Sequence, residues 1–347
     1  MNALERKGGD ESVAITAKEL AKLLNLSEAA VSLALNNRPG VSTQTRKRVW
    51  DAAQELGYDF SRRAAPQMEY RGTICMVIYK KSGAVVADTP FFSSLTEGVL
   101  VGCKRCGYEL VIRHLYEDEN LDNQLYLLES AKFAGLIVLA TEMNLVSMQP
   151  FAKLKTPLVI LDSYFDTLPY DCELINNIQG AFIATDYIIN KRKQQPGYMH
   201  SAYSISNFEE RADGFYKAIR ANGMSTSKCI VHHRTPSQEG ACADMKALME
   251  SGEELASCYF ADIDYIAVGA ITALKQAGYR IPEDIAVIGF DDLPLCEYLS
   301  PPLTTIHVPK QYLGETAARR MAQIIETKSH TTVKTEVSTT LVKRKSV

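Results

Sequence analysis

Two groups of residues in this chain have types and spacings that can do chemistry. In the first, Glu28, Ala29, Ser32, Leu33 and Asn36 fall on one side of a short helical pattern. Ala30, Val31, Ala34 and Leu35 form its other side, and Ser27 stands in place as the N-cap. A face this small and nearly uncharged can lie in a DNA groove: Glu28 can accept from a cytosine amino group, and Ala29 and Leu33 can meet thymine methyls. The second group is scattered. Asp88 with Phe91, Asp162, Asn176-Asn177, Asp262 with Asp264, and Asp291-Asp292 each follow a short apolar run, where open α/β sheets collect ligands. Carboxylates and aromatics offer acceptors to hydroxyls and flat faces to C–H surfaces, a set suited to a polyhydroxylated ligand. Asp and Asn after a strand are also common N-caps, so position alone does not separate the two roles.

Catalytic signatures are missing. The chain has no Gly-x-Ser-x-Gly elbow, no Gly-x-x-x-x-Gly-Lys phosphate loop, no His-Glu-x-x-His and no Gly-x-Gly-x-x-Gly. The expectation is no enzyme; the alternative, a glycosidase built on the scattered carboxylates, is separated by assaying sugar turnover. Eight cysteines lack the dense spacing of a disulfide framework. Cys103-Lys104-Arg105-Cys106 is half a zinc site without a second half, so neither metal nor cofactor is expected.

The elements that must hold the first group can be read around it. Thr16-Ala17-Lys18-Glu19 has the form of a capping box and opens a helix to Leu23. Leu24-Asn25-Leu26 then makes a tight turn, with Asn25 the residue best able to turn left-handed. Ser42 caps a third helix, Thr43 to Leu56, closed by Gly57. Arg46, Lys47 and Arg48 sit in its first half, where the helix dipole favours acids, so an external anion such as DNA phosphate is the reading made of them. From Val13 to Ala65 there are eight Lys or Arg against five Asp or Glu, a basic head on a chain whose net charge is −3.

These residues carry a resemblance. Ile15-Thr16-Ala17-Lys18-Glu19-Leu20-Ala21, Leu26-Ser27, Val31-Ser32, Leu35-Asn36-Asn37-Arg38-Pro39-Gly40-Val41-Ser42, Thr45-Arg46 and Glu55-Leu56-Gly57-Tyr58 resemble the headpiece of lactose-repressor (LacI-type) transcription regulators. The resemblance implies an all-α helix-turn-helix headpiece followed by a two-lobed α/β domain like the periplasmic binding proteins. Operator DNA would be met by Thr16, Ser27, Glu28, Ala29, Ser32, Leu33, Asn36, Arg38 and Arg46, with Arg62 reaching from a hinge. The resulting division is a flexible tail at 1–12, a headpiece at 13–60, a hinge at 61–71, and an effector-binding and dimerisation domain at 72–347. Within that domain, lobe 1 covers about 72–163 and 293–325, and lobe 2 about 166–292 and 327–347. The hinge departs from the family: Pro66 interrupts a helix there, and Gln67 or Met68 stands where a wedge leucine is usual.

The same resemblance sharpens the second group. Glu210-Arg211-Ala212-Asp213-Gly214-Phe215 is similar to the family's Arg-x-x-Gly-Phe motif, which assigns Arg211 to the effector. Asp264 matches an effector-binding aspartate, with Ile263 in place of the usual asparagine, and Asp88-Thr89-Pro90-Phe91-Phe92 resembles the cleft opening. With Asp162 and Asp291 these give the expected effector set. The effector itself reads as a carbohydrate, because one arginine among carboxylates and aromatics suits a phosphorylated ligand poorly. A non-sugar metabolite or a protein partner controlling the same regulator is the alternative. A secreted sugar-binding protein fits neither the basic headpiece nor the charged, glycine-bearing N-terminal residues. With 46% hydrophobic residues and no apolar stretch near the ~20 residues of a membrane span, no membrane is expected. The expected protein is a cytoplasmic homodimer.

Overall fold

Helix α1 (Ala17–Leu24) starts where two orphan backbone donors can be satisfied reciprocally: Thr16 Oγ1 accepts from the Glu19 N–H at 3.3 Å, and Glu19 Oε2 accepts from the Thr16 N–H at 2.8 Å. Asn25 ends it in the left-handed region at φ 54°, which lets α2 (Glu28–Leu35) begin after Ser27, whose Oγ accepts from the Ala30 N–H. Ser42 caps α3 (Thr43–Glu55) in the same way through Thr45. The three helices enclose a small core of Leu20, Ala21, Val31, Ala34, Leu35, Val49 and Ala53. This computed structural model describes residues 15–36, 40–60, 70–86, 89–328 and 331–347. The expected tail, Arg38, Arg62, Asp88 and the expected hinge up to residue 69 lie outside them. The chain divides into two units, Met1–Glu69 and Tyr70–Val347.

In the second unit, apolar runs and amphipathic helices alternate, the pattern of parallel sheets covered on both faces. The first part runs β1 (Gly72–Lys80), α4 (Pro90–Arg105), β2 (Tyr108–Tyr116), α5 (Leu121–Ser130), β3 (Gly135–Leu139), α6 (Leu145–Met148), β4 (Leu158–Leu161) and β5 (Asp171–Ile175). The chain continues through α7 (Asn177–Arg192), β6 (Gly197–Ser201), α8 (Ser206–Ala221), β7 (Val231–Arg234), α9 (Gln238–Ser251), β8 (Cys258–Ala261), α10 (Asp264–Gln276) and β9 (Ala286–Ile288). Last come α11 (Leu295–Tyr298), β10 (Thr305–His307), α12 (Lys310–Thr327), β11 (Lys334–Val337) and β12 (Thr340–Val342).

Among the described residues, one sheet has the order β11-β5-β4-β3-β1-β2 and a second the order β7-β6-β8-β9, all strands parallel, while β10 and β12 pair antiparallel. The lobe limits read from sequence put 166–292 and 327–347 together. In the structure, β5 and β11 hydrogen-bond to each other and β5 to β4, so both complete the first sheet. Residues 334–342 form two strands in two sheets, β11 and β12, broken at Ser338-Thr339 where the chain crosses over. Both strands are exposed or half-buried, and a strand's side-chain pattern does not encode its partner, so the stretch reads the same in either sheet. The first sheet is braced by α4 against α12. A Cβ on Gly98 would lie 2.1 Å from the Gln311 carbonyl oxygen, so the two helices meet backbone to backbone there.

Candidate functional site

The outward side of α2 carries Glu28, Ala29, Ser32 and Asn36, all exposed, with Leu33 half-buried. Thr16 and Ser27 are exposed and spend their hydroxyls on the caps described above. Asn36 folds back on its own helix, Nδ2 donating to the Ser32 carbonyl at 2.9 Å. The basic run of α3 has a use inside the headpiece. Arg46 donates to the carbonyls of Leu33 and Ala34, Trp50 Nε1 donates to Ala34, and Arg48 donates to Leu24. Those carbonyls end α1 and α2, where intrahelical partners run out. Arg46 and Arg48 therefore satisfy the ends of two other helices, and an external anion is not needed to account for these two, while Lys47 is exposed.

Between the two sheets of the second unit lies a cavity of about 330 Å³. Phe91 and Asp162 reach it from the first sheet, and Arg211 and Asp291 from the second. Asp162 follows β4 and Asp291 follows β9, both with positive φ, 62° and 111°. Non-glycine residues held there are strained, a condition that clusters at ligand sites. Asp162 accepts from the Thr141 hydroxyl at 2.6 Å and from Asn207 Nδ2 at 3.0 Å. Burial pushes its carboxyl up to about 6, against the pull of Thr141, Arg211 and Asn207. Burial likewise raises Asp291, against the pull of Arg211 and Lys310.

Arg211, only 3% exposed, is fixed from several sides. Its Nε donates to Asn177 Oδ1 at 3.0 Å, a terminal nitrogen donates to the Asp262 carbonyl, and the guanidinium lies over the Phe290 ring at 3.8 Å. Its other nitrogen is 3.5 Å from Asp291 Oδ1, an oxygen that is buried and lacks a hydrogen-bond partner. Asp262 is itself gripped: its carboxylate takes the Tyr198 hydroxyl, the Ser201 N–H at 2.6 Å and His200 Nδ1 at 2.8 Å. Burial works to lower the His200 pKa, but the Asp262 carboxylate outweighs it and the net shift is upward.

Asp264 differs from the role read for it. It does not line the cavity but sits fully buried behind it, accepting from the Leu293 N–H at 2.9 Å and the Thr305 hydroxyl at 2.6 Å. Its carboxylate braces the segment that carries Asp291 and Leu293, so it supports the wall and does not touch the cavity. Thr141, Asn207, Phe208 and Tyr265 line the cavity without having been singled out from the sequence. Thr141 could have been found, since it follows the apolar run ending at Ala140. Asn207 could too, being four residues before Arg211 on one helical face. Among the described residues no cluster of His, Cys, Asp and Glu could hold a metal ion, and no helix is long and apolar enough to cross a membrane.

Known proteins resemble both units. Residues 16–60 match the bacterial regulatory proteins of the lacI family, and residues 185–347 match a periplasmic binding protein-like domain. The HTH-type transcriptional repressor PurR of Aliivibrio salmonicida is 31% identical over 338 residues, covering 96% of this chain and 98% of that one. The PurR of Pasteurella multocida is 30% identical over 336 residues, with the same coverage of 96% and 98%. Among solved structures, a transcriptional regulator CelR in complex with cellobiose superposes with a TM-score of 0.71 at 24% identity, over 96% of this chain and all 100% of that one. Similarity at that level speaks for the fold.

Proposed function

The chain belongs to the lacI family of bacterial regulatory proteins, and from that membership we propose that it represses transcription as a homodimer, with its operator affinity set by a carbohydrate held between its two sheets. It is a DNA-binding transcription regulator with a ligand-binding domain. What carries the ligand reading is the cavity between the two sheets, which gathers the acidic Asp162 and Asp291, Arg211, and the rings of Phe91 and Phe208 in one place. The single arginine is already committed to Asn177 and Asp262, which leaves little for a phosphate. A nitrogenous metabolite is the second reading, since carboxylates lining the cavity accept from N–H as well as from O–H.

In this reading two headpieces meet half-sites of a near-palindrome about one helical turn apart, with each α2 in the major groove. The protein works in the cytoplasm, where its DNA is. The test begins with operator selection from random DNA, followed by fluorescence anisotropy of the selected site against a panel of mono- and oligosaccharides, nucleosides and phosphorylated metabolites. A sugar should change operator affinity, and by linkage operator must change sugar affinity by the same factor. Arg211→Ala should abolish that response while leaving DNA affinity without ligand nearly unchanged. If only nucleosides act, the carbohydrate reading is wrong, and if Arg211→Ala responds normally the ligand sits elsewhere.

A further inference from the structure

Residues 81–86 follow β1 without joining a helix or a strand, so their backbone donors need partners from elsewhere. A single side chain supplies nearly all of them. Glu142 Oε2 accepts from the N–H groups of Lys81 at 2.8 Å, Ser82 at 3.1 Å and Gly83 at 3.1 Å. Its Oε1 accepts from Val85 and Val86, both at 2.8 Å. The one remaining donor, Ala84 N–H, goes to Ser82 Oγ at 3.2 Å. Gly83, at φ +67°, lets the chain curl around the carboxylate.

Successive backbone N–H groups converging on a point are the arrangement by which proteins hold phosphate and other free anions. Here the anion is the protein's own. Burial works to raise the Glu142 pKa, but the N–H donors of Val86, Val85, Ser82 and Gly83 outweigh it and lower it, so the group stays ionised. The cradle also has a position that matters. Ala84 and Val85 line the ligand cavity, Val86 is buried in the core of the first sheet, and Thr141, next to Glu142 in the chain, donates to Asp162. Glu142 is 6% exposed and does not line the cavity itself.

We propose that Glu142 is the positioning residue of the cavity: an internal anion around which loop 81–86 is wound, so that this carboxylate sets the first-sheet wall a ligand meets. Without it, five convergent donors are left around an empty anion site, and the wall loses its shape while the sheet beneath remains. The functional meaning rests on the ligand reading given above, but the structural device does not, and the two are tested separately.

Amide hydrogen exchange on the full chain reads the loop without any ligand. In Glu142→Gln, which turns donors of its own toward the cradle, exchange at residues 81–86 should speed up at least tenfold while the amides of β1 and β3 stay unchanged. In Glu142→Gly, formate should restore protection in proportion to its concentration and raise the thermal midpoint, and chloride at equal ionic strength should do neither. Wild type should be indifferent to formate. Unchanged exchange at 81–86 in Glu142→Gln overturns the proposal, as does a Glu142→Gly variant on which formate acts no differently from chloride. Should Glu142→Gly fail to fold, Glu142→Gln alone decides. Failure of the carbohydrate reading leaves these exchange rates where they are.

Discussion

The caps of the headpiece and the polar contacts around the cavity differ in reach. In the headpiece the caps close within three or four residues: Thr16 with Glu19, Ser27 with Ala30, Asn36 with Ser32, Ser42 with Thr45. Around the cavity the partners lie far apart in sequence, Arg211 with Asn177 at a separation of 34 residues, Asn207 with Asp162 at 45 and Val85 with Glu142 at 57. Short-range capping makes helices that largely define themselves and leaves an outer face free to meet DNA. Long-range networks make a wall whose every member depends on the sheets being in place. The first arrangement tolerates change on its face, and the second transmits it.

That difference is broken most severely by overpacking the sheet scaffold. Gly98→Leu forces a side chain into the Gln311 backbone and should cost the ligand-binding unit about 3 kcal/mol or more. Calorimetry on the full chain should show that unit's transition falling while the headpiece transition keeps its wild-type midpoint. Equal loss in both would mean the units do not melt apart.

The reading face should behave differently. Replacing Glu28 should change base preference at one operator position by ~1–3 kcal/mol and leave stability nearly alone. Replacing Arg46 should weaken all DNA sequences alike and also lower headpiece stability, because its guanidinium holds the carbonyls of Leu33 and Ala34. Binding to a library of single-base operator variants checks both. Equal sequence-blindness in the two variants would remove α2 as the reader.

This contrast in reach also explains what could be read from the chain. Asn25 in the left-handed turn, the caps at Thr16, Ser27 and Ser42 and the limits of the first three helices follow from residues within a few positions of one another. The alternation of strands and helices was legible for the same reason. Strand order was not: nothing in Asp171–Ile175 says that it pairs with Lys334–Val337. Asp264 shows the same limit at the cavity. A carboxylate after an apolar run reads alike whether it faces the ligand or braces Leu293 and Thr305 behind it. Glu142 had no local signal at all, since its five donors belong to another part of the chain.

A smaller change probes the cap alone. Thr16→Ala removes both the hydroxyl acceptor and its link to Glu19, and should destabilise the headpiece by about 1 kcal/mol. Urea melts followed at 222 nm on the 1–60 fragment would detect it, and a full-chain melt of the ligand-binding unit should not move. A shift in the second unit would show that its stability depends on the first helix.

The smallest effect separates the two regions by sign. In the headpiece the backbone and hydroxyl of Thr16 hold the Glu19 carboxyl below its ordinary 4.5. A depressed carboxyl adds stability above its unfolded pKa and loses it as pH falls through the folded value. Asp162 is pushed the other way, from 3.8 to about 6, by burial that Thr141, Arg211 and Asn207 only partly offset. Between those values the folded state keeps a proton that the unfolded chain has released. Its contribution is therefore fully present below 3.8 and lost as the pH rises to about 6. Wild type should lose stability relative to Asp162→Asn as the pH rises across that window, and relative to Glu19→Gln as the pH falls through and below 4.5. Denaturant midpoints for each pair, taken across the pH range, give the two difference profiles directly. A ligand hydroxyl donated to Asp162 favours the ionised form, so binding should release a proton and affinity should climb as pH rises through about 6. A flat profile for Asp162→Asn would mean that the carboxylate ionises in the cavity without cost, and the polar walls built by Thr141 and Asn207 would then be solvating it as well as water does.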